Sequence, residues 1–232
     1  MAWIGMTVDL ECPYFACFRQ VAATSVVLTY PVPPFTTLLG MLLNAMGVHH
    51  AFYEEERNRL QQALRFNLRP LTPVERPQRE LAKLLKLVGE GRKEGKRPVD
   101  FPSSPVRKSF LVRPAYRLYL ASESQETIQP LRDALERPAR PLSLGGSDNM
   151  VIPTLRWMGE VRWAESAETW GLIPGIHEGC ELIRLPVAFQ AGRDLAPPPL
   201  LALPRRFPFR LPRSERLAFF DTEGVWLLPT AG

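Results

Sequence analysis

The spacing of apolar and polar residues predicts alternating strands and helices over the first 150 residues. Residues 2–11 alternate apolar and polar side chains, which is typical of a strand with one buried face. Residues 38–46 carry apolar side chains three and four positions apart, which indicates a helix buried on most sides. Pro33 and Pro34 suit the start of this helix, where the following threonines can cap its first amides, and Gly47 suits its end. The other predicted elements are an extended segment at 21–30, a helix at 54–63, strands at 64–71 and 109–121, a helix at 127–135 and a strand beginning at 141.

Residues 73–108 interrupt this pattern with prolines, glycines and a basic run. Without them, the elements follow the order strand, helix, strand, strand, helix, strand, which is the ferredoxin-like order with helices on one face of an antiparallel sheet. After residue 151, prolines separate short strand-like runs. We therefore predict an α+β protein with a ferredoxin-like domain at 1–150, an inserted arm at about 73–108, and a smaller β-rich unit at 151–232.

Cysteine and histidine residues are too few and too scattered for several kinds of site. Three cysteines, at 12, 17 and 180, exclude a framework of paired disulfides and fit a reducing compartment. The histidines His49, His50 and His177 match no metal-binding spacing, and no nucleophile motif or nucleotide-binding loop is present. No apolar run reaches the ~20 residues that a membrane-spanning helix needs. We therefore predict no metal site, no cofactor and no membrane span.

Positive charge is concentrated in two runs. The chain has 29 basic and 24 acidic residues, a net charge of +5, and five of the basic residues are lysines, so 24 are arginines. Residues 79–97 and 205–216 each carry a local charge of +4, and the second run also contains Phe207 and Phe209. Cations beside aromatic rings suit single-stranded nucleic acid, because cations bind phosphates and rings stack on bases. The alternative is that these runs are solvated surfaces and that the arginine excess reflects genome composition.

Two motifs resemble signatures of the Cas five family of CRISPR systems. Residues 29–40 read Thr-Tyr-Pro-Val-Pro-Pro-Phe-Thr-Thr-Leu-Leu-Gly, which is similar to the N-terminal signature of that family. Residues 140–148 read Arg-Pro-Leu-Ser-Leu-Gly-Gly-Ser-Asp, which is similar to its second signature, a turn after the second helix. That turn often has Gly-Arg in the family, whereas Gly145 is followed here by Gly146. The last third of the chain carries no signature of the family.

The resemblance implies a non-catalytic subunit of a type I CRISPR effector complex (Cascade). Members of the family have an RNA-recognition-motif-like form of the ferredoxin-like fold with a projecting thumb, which corresponds here to the inserted arm. Such a subunit binds the 5′ handle of the guide CRISPR RNA and caps the backbone filament next to the large subunit. Its implied partners are this RNA, the backbone subunit and the large subunit, with target DNA reached only through the complex. The implied role is antiviral defence in the cytoplasm of a prokaryote.

The motifs and the charge pattern together predict the RNA-binding residues. A helix N-terminus and a glycine turn both offer backbone amides to phosphate, so the two motifs suit RNA binding chemically. The residues predicted from the motifs are Tyr30, Thr36, Thr37, Gly145, Gly146 and Ser147. The residues added from charge and position are Arg19, Lys93, Lys96, Arg97, Arg107, Lys108, Arg113 and Tyr116.

Three alternative functions remain open at the level of the sequence. A branch of the same family cleaves precursor CRISPR RNA without a metal, and Tyr30, Lys108 and one of His49 or His50 would have to supply the required base and cation. A Cas six ribonuclease is a second alternative, although residues 223–227 do not supply its glycine-rich loop. The third is a subunit that makes protein contacts only, with basic runs that serve solubility.

Overall fold

The computed structural model describes residues 2–20, 26–73, 76–85, 103–190, 192 and 194–229. The elements of this part of the chain are, in order, β1 (Trp3–Glu11), β2 (Phe15–Ala16), β3 (Val26–Val27), α1 (Phe35–Ala45), a 3-10 turn (His50–Phe52), α2 (Tyr53–Ala63), β4 (Arg65–Pro70), β5 (Gln78–Leu85), β6 (Ser103–Val112), β7 (Ala115–Ser122), α3 (Gln125–Glu136), β8 (Ile152–Thr169), β9 (Ile173–Pro174), β10 (Cys180–Arg184), β11 (Leu200–Pro204), β12 (Phe209–Phe220), β13 (Glu223–Val225) and β14 (Leu228–Pro229).

A seven-stranded sheet forms the centre of the molecule, in the order β13-β12-β8-β1-β7-β4-β14. Every neighbouring pair in it is antiparallel. A separate three-stranded sheet has the order β10-β11-β9. The predicted α+β class is confirmed, with mostly antiparallel strands and few helices. In the described ranges, no helix combines the length and the apolar character needed to cross a bilayer.

The main core lies between one face of this sheet and the helices. Met6, Val8 and Leu10 alternate along β1 and are fully buried on that face, as the sequence pattern predicts. Helix α1 packs against them with seven of its eleven residues buried, and it ends before Gly47, whose φ of 70° lets the chain turn. Phe35, at the start of α1, stacks on the buried ring of Phe66 in β4, with 3.9 Å between the ring centroids. Helix α1 is therefore central, as predicted.

Two predicted strands differ in the structure. The expected strand at 109–121 is two strands, because Arg113 has a left-handed backbone (φ 44°) and Pro114 follows it without an amide hydrogen. The expected strand from 141 is instead a turn with one isolated bridge between Ser143 and Met150. Glycines in that turn favour reversal of the chain over extension. The place expected for the strand from 141, beside β1, is taken by β8.

Strands from both sides of residue 150 share the main sheet. β8, β12, β13 and β14 follow that position, yet β8 pairs directly with β1 and β14 with β4. The predicted division at 150/151 therefore does not describe this sheet, because the N-terminal strands complete their hydrogen bonds with strands from the C-terminal third. Among the sheets of the described residues, only the three-stranded sheet is built wholly from residues after 150.

The described part of the inserted arm consists of two antiparallel strands, β5 and β6. Their register runs from Gln78 opposite Phe110 to Leu85 opposite Ser103. β3 pairs with β6 in parallel and β2 pairs with its end, so β2, β3, β5 and β6 form one small sheet, called here the arm sheet. The second strand of the arm extends past the predicted end at 108 to Val112. Consecutive residues 78–81 are exposed, so both faces of β5 are open to solvent there.

Candidate nucleic-acid interface

The turn of the second motif packs against the base of the inserted arm. Lys108 of β6 forms an ion pair with Asp148, with 3.6 Å between Nζ and Oδ2. Gly145 has a φ of 97°, and a Cβ atom there would lie 2.8 Å from the carbonyl oxygen of Cys17. Only glycine permits both this backbone conformation and this approach. The turn, Lys108 and the segment after β2 are therefore brought together.

A buried amide fixes the turn in place. Asn149 is 1% exposed, and its Nδ2 donates to the carbonyl oxygens of Cys17 at 3.4 Å and Leu144 at 3.3 Å. The backbone amide of Asn149 also donates to the carbonyl of Gly146 at 3.0 Å. The sequence pattern did not single out Asn149, although its position directly after a Gly-Gly-Ser-Asp turn was the available signal.

Lys108 and Arg19, two of the predicted RNA-binding cations, both affect the pKa of the buried Cys17 thiol. Burial raises the pKa of the Cys17 thiol, while the charges of Lys108 and Arg19 oppose the rise and that of Asp148 adds to it. Arg19 is exposed next to the turn, and Arg107 is exposed on β6. The predicted residues Arg19, Arg107, Lys108, Gly145, Gly146 and Ser147 thus lie around the base of the inserted arm.

Tyr116 was predicted to contact RNA, and the structure shows it to be a core residue. It is 2% exposed, and its hydroxyl donates to the carbonyl oxygen of Pro31 at 3.1 Å. Its ring packs edge-on against Phe18, with 5.9 Å between centroids. Tyr116 alternates with Leu118 and Leu120 on the helix-facing side of β7, and its contact with RNA stays a prediction.

The start of α1 differs from the predicted phosphate site. Pro34 occupies the cap position, and no side chain caps the helix, so the expected threonine cap is wrong. The Phe35 amide donates to the carbonyl of Pro186 at 3.1 Å, and the Thr37 amide donates to the carbonyl of Pro34 at 3.0 Å. Thr36 and Thr37 are half-buried in this first turn, and their contact with RNA stays a prediction.

Tyr30 and the aromatic residues of the second basic run belong to packed regions. Tyr30 is half-buried against the main core, and burial raises its pKa. Phe207 lies against the same core with Arg69 6.0 Å from its ring, and Phe209 packs into a C-terminal apolar cluster. The rings of the run at 205–216 are therefore used for packing. Lys93, Lys96 and Arg97 lie outside the described residues.

A cavity of about 630 Å³ opens where β6 breaks at Arg113. Arg113 is exposed and lines it together with Arg76 and Gln78. Proline side chains, including Pro13 and Pro31, supply much of the apolar lining. Arg76 was not predicted, because a single arginine outside the basic run gave no signal in the sequence.

A buried ionic network covers the opposite face of the main sheet. Asp9 of β1 is 3% exposed and accepts hydrogen bonds from Arg117 Nε at 2.7 Å and from Arg156 Nε at 2.6 Å. Burial disfavours ionisation of Asp9, but the bonds from the two arginines outweigh it and hold its pKa below the ordinary value. The same contacts raise the pKa of Arg117. Asp9 and Arg117 are therefore both charged in the folded protein.

The C-terminal strands close this face of the sheet. Glu223 of β13 accepts from Arg69 at 2.7 Å, from Arg117 at 3.1 Å and from the Tyr119 hydroxyl at 2.6 Å. Tyr119 is fully buried, with the Phe220 ring 5.4 Å away. RNA-recognition domains stack bases on aromatic residues of an open sheet face. Because β12 and β13 bury the corresponding ring here, the base of the inserted arm is the better candidate interface.

Among the described residues, no group of three or more His, Cys, Asp and Glu side chains is arranged to hold a metal ion. Burial raises the pKa of the Cys12 thiol to about 12, so this cysteine is a neutral core residue. The basic residues at the base of the inserted arm therefore define the site by charge and backbone geometry.

The fold and the site define the class as an α+β protein with a basic hairpin arm and a glycine turn at its base. Residues 6–168 match the CRISPR-associated protein (Cas_Cas5) family. This match spans more than half of the 232 residues, so the chain belongs to that family. The predicted resemblance is confirmed. Among curated proteins, none matches the sequence significantly.

Solved structures of CRISPR proteins are similar at low sequence identity. A CRISPR protein from Archaeoglobus fulgidus has a TM-score of 0.51 and 16% identity, with 96% of this chain and 97% of that chain covered. A chain of a CRISPR RNA-guided surveillance complex has a TM-score of 0.45 and 17% identity over 63% of this chain. The match spans 61% of that surveillance-complex chain. The similarity to the Archaeoglobus protein supports the overall fold.

Proposed function

We propose that this protein is a non-catalytic RNA-binding subunit of a type I effector complex (Cascade) in the prokaryotic cytoplasm. It holds the 5′ handle of the guide CRISPR RNA and caps the backbone filament next to the large subunit. Target DNA is reached only through the assembled complex, and the role is antiviral defence. Membership of the CRISPR-associated family supports this proposal.

A ferredoxin-like, RNA-recognition-motif-like core is part of the same proposal. In chain order, β1, α1, β4, β7, α3 and β8 follow the ferredoxin-like succession, with α2 added between α1 and β4. In space the four strands have the order β8-β1-β7-β4 and alternate in direction. This is the strand arrangement that the succession requires when both helices cover one face.

The observation that carries the proposal is the close packing of the glycine turn against the cationic base of the inserted arm. Gly145 and Gly146 lack side chains, and Lys108 lies within ion-pair distance of the turn. Arg19 is exposed and near Cys17, whose carbonyl packs on the turn, and Arg107 is exposed next to Lys108 in β6. A phosphate can approach a glycine turn closely, and the cations beside it then neutralise the phosphate charge. An RNA strand bent around the turn satisfies both conditions.

The positions of the required side chains argue against cleavage. Tyr30 precedes α1 and His49 follows it, and an eleven-residue helix is about 16 Å long. His49 accepts a hydrogen bond from the Ala51 amide at 3.3 Å and caps the 3-10 turn at that end. Burial raises the pKa of Tyr30, which lowers the fraction of its hydroxyl that is ionised at neutral pH and able to act as a base. Tyr30 and His49 therefore lie at opposite ends of α1.

Replacing Lys108 with glutamine is expected to weaken binding of a handle oligonucleotide three- to tenfold and to reduce the salt slope of log K by about one. Loss of the cation removes a phosphate contact and leaves Asp148 unpaired beside the RNA. Filter binding at several salt concentrations measures both quantities, on the subunit and on the assembled complex.

Arg132→Gln is the matched control, because Arg132 pairs with Asp133 at 2.8 Å on α3, away from the proposed site. Its affinity and salt slope should equal those of the wild type. If Lys108→Gln behaves like this control, the proposed site is wrong. If neither the subunit nor the complex prefers the handle over an unrelated oligonucleotide, the handle-binding function is wrong.

Incubation of the purified protein with CRISPR repeat RNA in EDTA is expected to leave the RNA intact. Tyr30 and His49 lie at opposite ends of α1, which places this pair too far apart to act on one phosphodiester. Denaturing electrophoresis of the RNA checks this. A discrete cut that disappears in Tyr30→Phe or His49→Ala would establish the alternative of precursor processing.

A further inference from the structure

The outer face of the arm sheet exposes aromatic and aliphatic side chains. Phe15 of β2 pairs with Val112 of β6, so their side chains lie on the same face. Phe110, two residues before Val112, shares that face and meets the Phe15 ring edge-on at 6.0 Å between centroids. Val112 is 52% exposed, and Tyr14, directly before β2, is 64% exposed.

The other face of the same strands is buried, so the exposed face is the one that usually carries polar side chains. Ala16, Ser109 and Leu111 alternate with the exposed residues and are all buried. In a sheet with one solvated face, the outward positions are normally polar. Clustered apolar side chains at such positions indicate a binding surface.

Two cationic residues are neighbours of these aromatic residues. The Lys108 ammonium is 5.8 Å from the centre of the Phe15 ring. The backbone amide of Arg113 donates to the Tyr14 carbonyl at 2.8 Å, so exposed Arg113 is held next to Tyr14 through the backbone. The carboxylates nearby are Asp148, which is paired with Lys108, Glu80, opposite Lys108 on β5, and Glu11, which lines the same cavity as Arg113.

This combination favours single-stranded RNA over a protein as the occupant. The centre of a protein–protein interface is typically depleted of charged residues. A single nucleic-acid strand instead needs rings for its bases and cations for the phosphates between them. Lys108 beside the Phe15 ring and Arg113 next to Tyr14 provide that combination of cations and rings.

We propose that Tyr14 and Phe15 form a stacking site for an unpaired base of the guide RNA, with Lys108 and Arg113 contacting the flanking phosphates. This inference rests on the proposed function, since the ligand is the same RNA. The cavity of about 630 Å³, lined by Pro13, Val112 and Arg113, gives the adjoining ribose and phosphate room beside Tyr14.

Replacing Tyr14 with alanine is expected to weaken binding of the handle oligonucleotide about tenfold, because stacking contributes ~1–3 kcal/mol per base. Tyr14 is mostly exposed, so the variant should retain the melting temperature of the wild type. Tyr14→Trp keeps the stacking surface and should bind as the wild type does. Stacking of a base should also quench the fluorescence of the introduced tryptophan. Addition of RNA should therefore lower the fluorescence of Tyr14→Trp by more than that of the wild type, which has five native tryptophans.

Phe52→Ala is the matched control. Phe52 is 59% exposed, close to the exposure of Tyr14, and it lies beyond the C-terminal end of α1. Its loss should leave RNA affinity unchanged. All variants are measured as the purified subunit and within the assembled complex.

The outcomes separate this inference from the proposed function. If the wild-type subunit and complex both fail to bind the handle, the two proposals fail together. If the wild type binds but Tyr14→Ala binds equally well and Tyr14→Trp shows no added quenching, only the stacking site is wrong. If Tyr14→Ala binds RNA normally and fails to join the complex, the surface is a protein interface and the stacking site is again wrong.

Discussion

Replacing Asn67 with alanine is expected to lower the free energy of unfolding by about 3–5 kcal/mol, because several buried backbone groups lose their partner at once. Asn67 is fully buried in β4. Its Nδ2 donates to the carbonyl oxygens of Leu172 at 2.9 Å and Trp226 at 2.7 Å. Its Oδ1 accepts from the amides of Leu68 at 2.6 Å and Leu172 at 2.7 Å. Chemical denaturation monitored by tryptophan fluorescence measures the loss.

Asn58→Ala is the control for this prediction. Asn58 lies half-buried on α2 and accepts from its neighbour Arg57 at 3.0 Å, so its loss should cost less than about 1 kcal/mol. Equal losses for the two variants would contradict the assigned role of Asn67. They would mean that the backbone groups of Leu172 and Trp226 find other partners when the amide is absent.

The bonds of Asn67 explain why the boundary at residue 150 was not a structural division. They join β4 to residues 105 and 159 positions later in the chain. Gly171 allows this approach, since a Cβ there would clash with the Asn67 side chain. A single asparagine within a strand pattern gives no sign of such partners. Pairing at this separation cannot be deduced from local periodicity.

Elements with a regular local pattern were predictable. β1 and α1 follow their apolar spacing closely, because the residues that determine them are neighbours in the chain. The inserted arm was recognisable from its composition, but its end was not. The left-handed backbone of Arg113 depends on the Tyr14 carbonyl 99 positions earlier, which the local pattern does not reveal.

The candidate site was predictable where a motif required a backbone conformation and less so where burial decided the outcome. Gly145 was expected in a tight turn, and its φ of 97° agrees. Tyr116 and Tyr14 have the same type of side chain and opposite exposures. Which one faces the core depends on pairing between distant strands. The sequence pattern therefore did not single out Tyr14 and Phe15 as candidates.

Replacing Asp9 with asparagine is expected to destabilise the protein by about 3 kcal/mol at pH 7. The carboxylate is bonded to two guanidinium groups, and charged hydrogen bonds contribute ~1.5–3 kcal/mol each. The contribution of Arg156 is smaller because its side chain is 48% exposed. Asp133→Asn on α3 is the control, since Asp133 pairs with Arg132 at the surface and should contribute less than about 1 kcal/mol.

The pH dependence of this difference identifies Asp9 as the cause. The bonds from Arg117 and Arg156 hold the folded-state pKa of Asp9 below its ordinary value of 3.8. Its contribution is therefore fully present above that ordinary value and is lost as the pH falls through the lower folded-state pKa. The gap in unfolding free energy between wild type and Asp9→Asn should be constant from pH 7 to about 5 and should narrow below about 4. A gap that stays constant to pH 2 would mean that Asp9 acts by packing and not by charge. The network would then not hold β1, β7 and β8 together electrostatically on the face that β12 and β13 close.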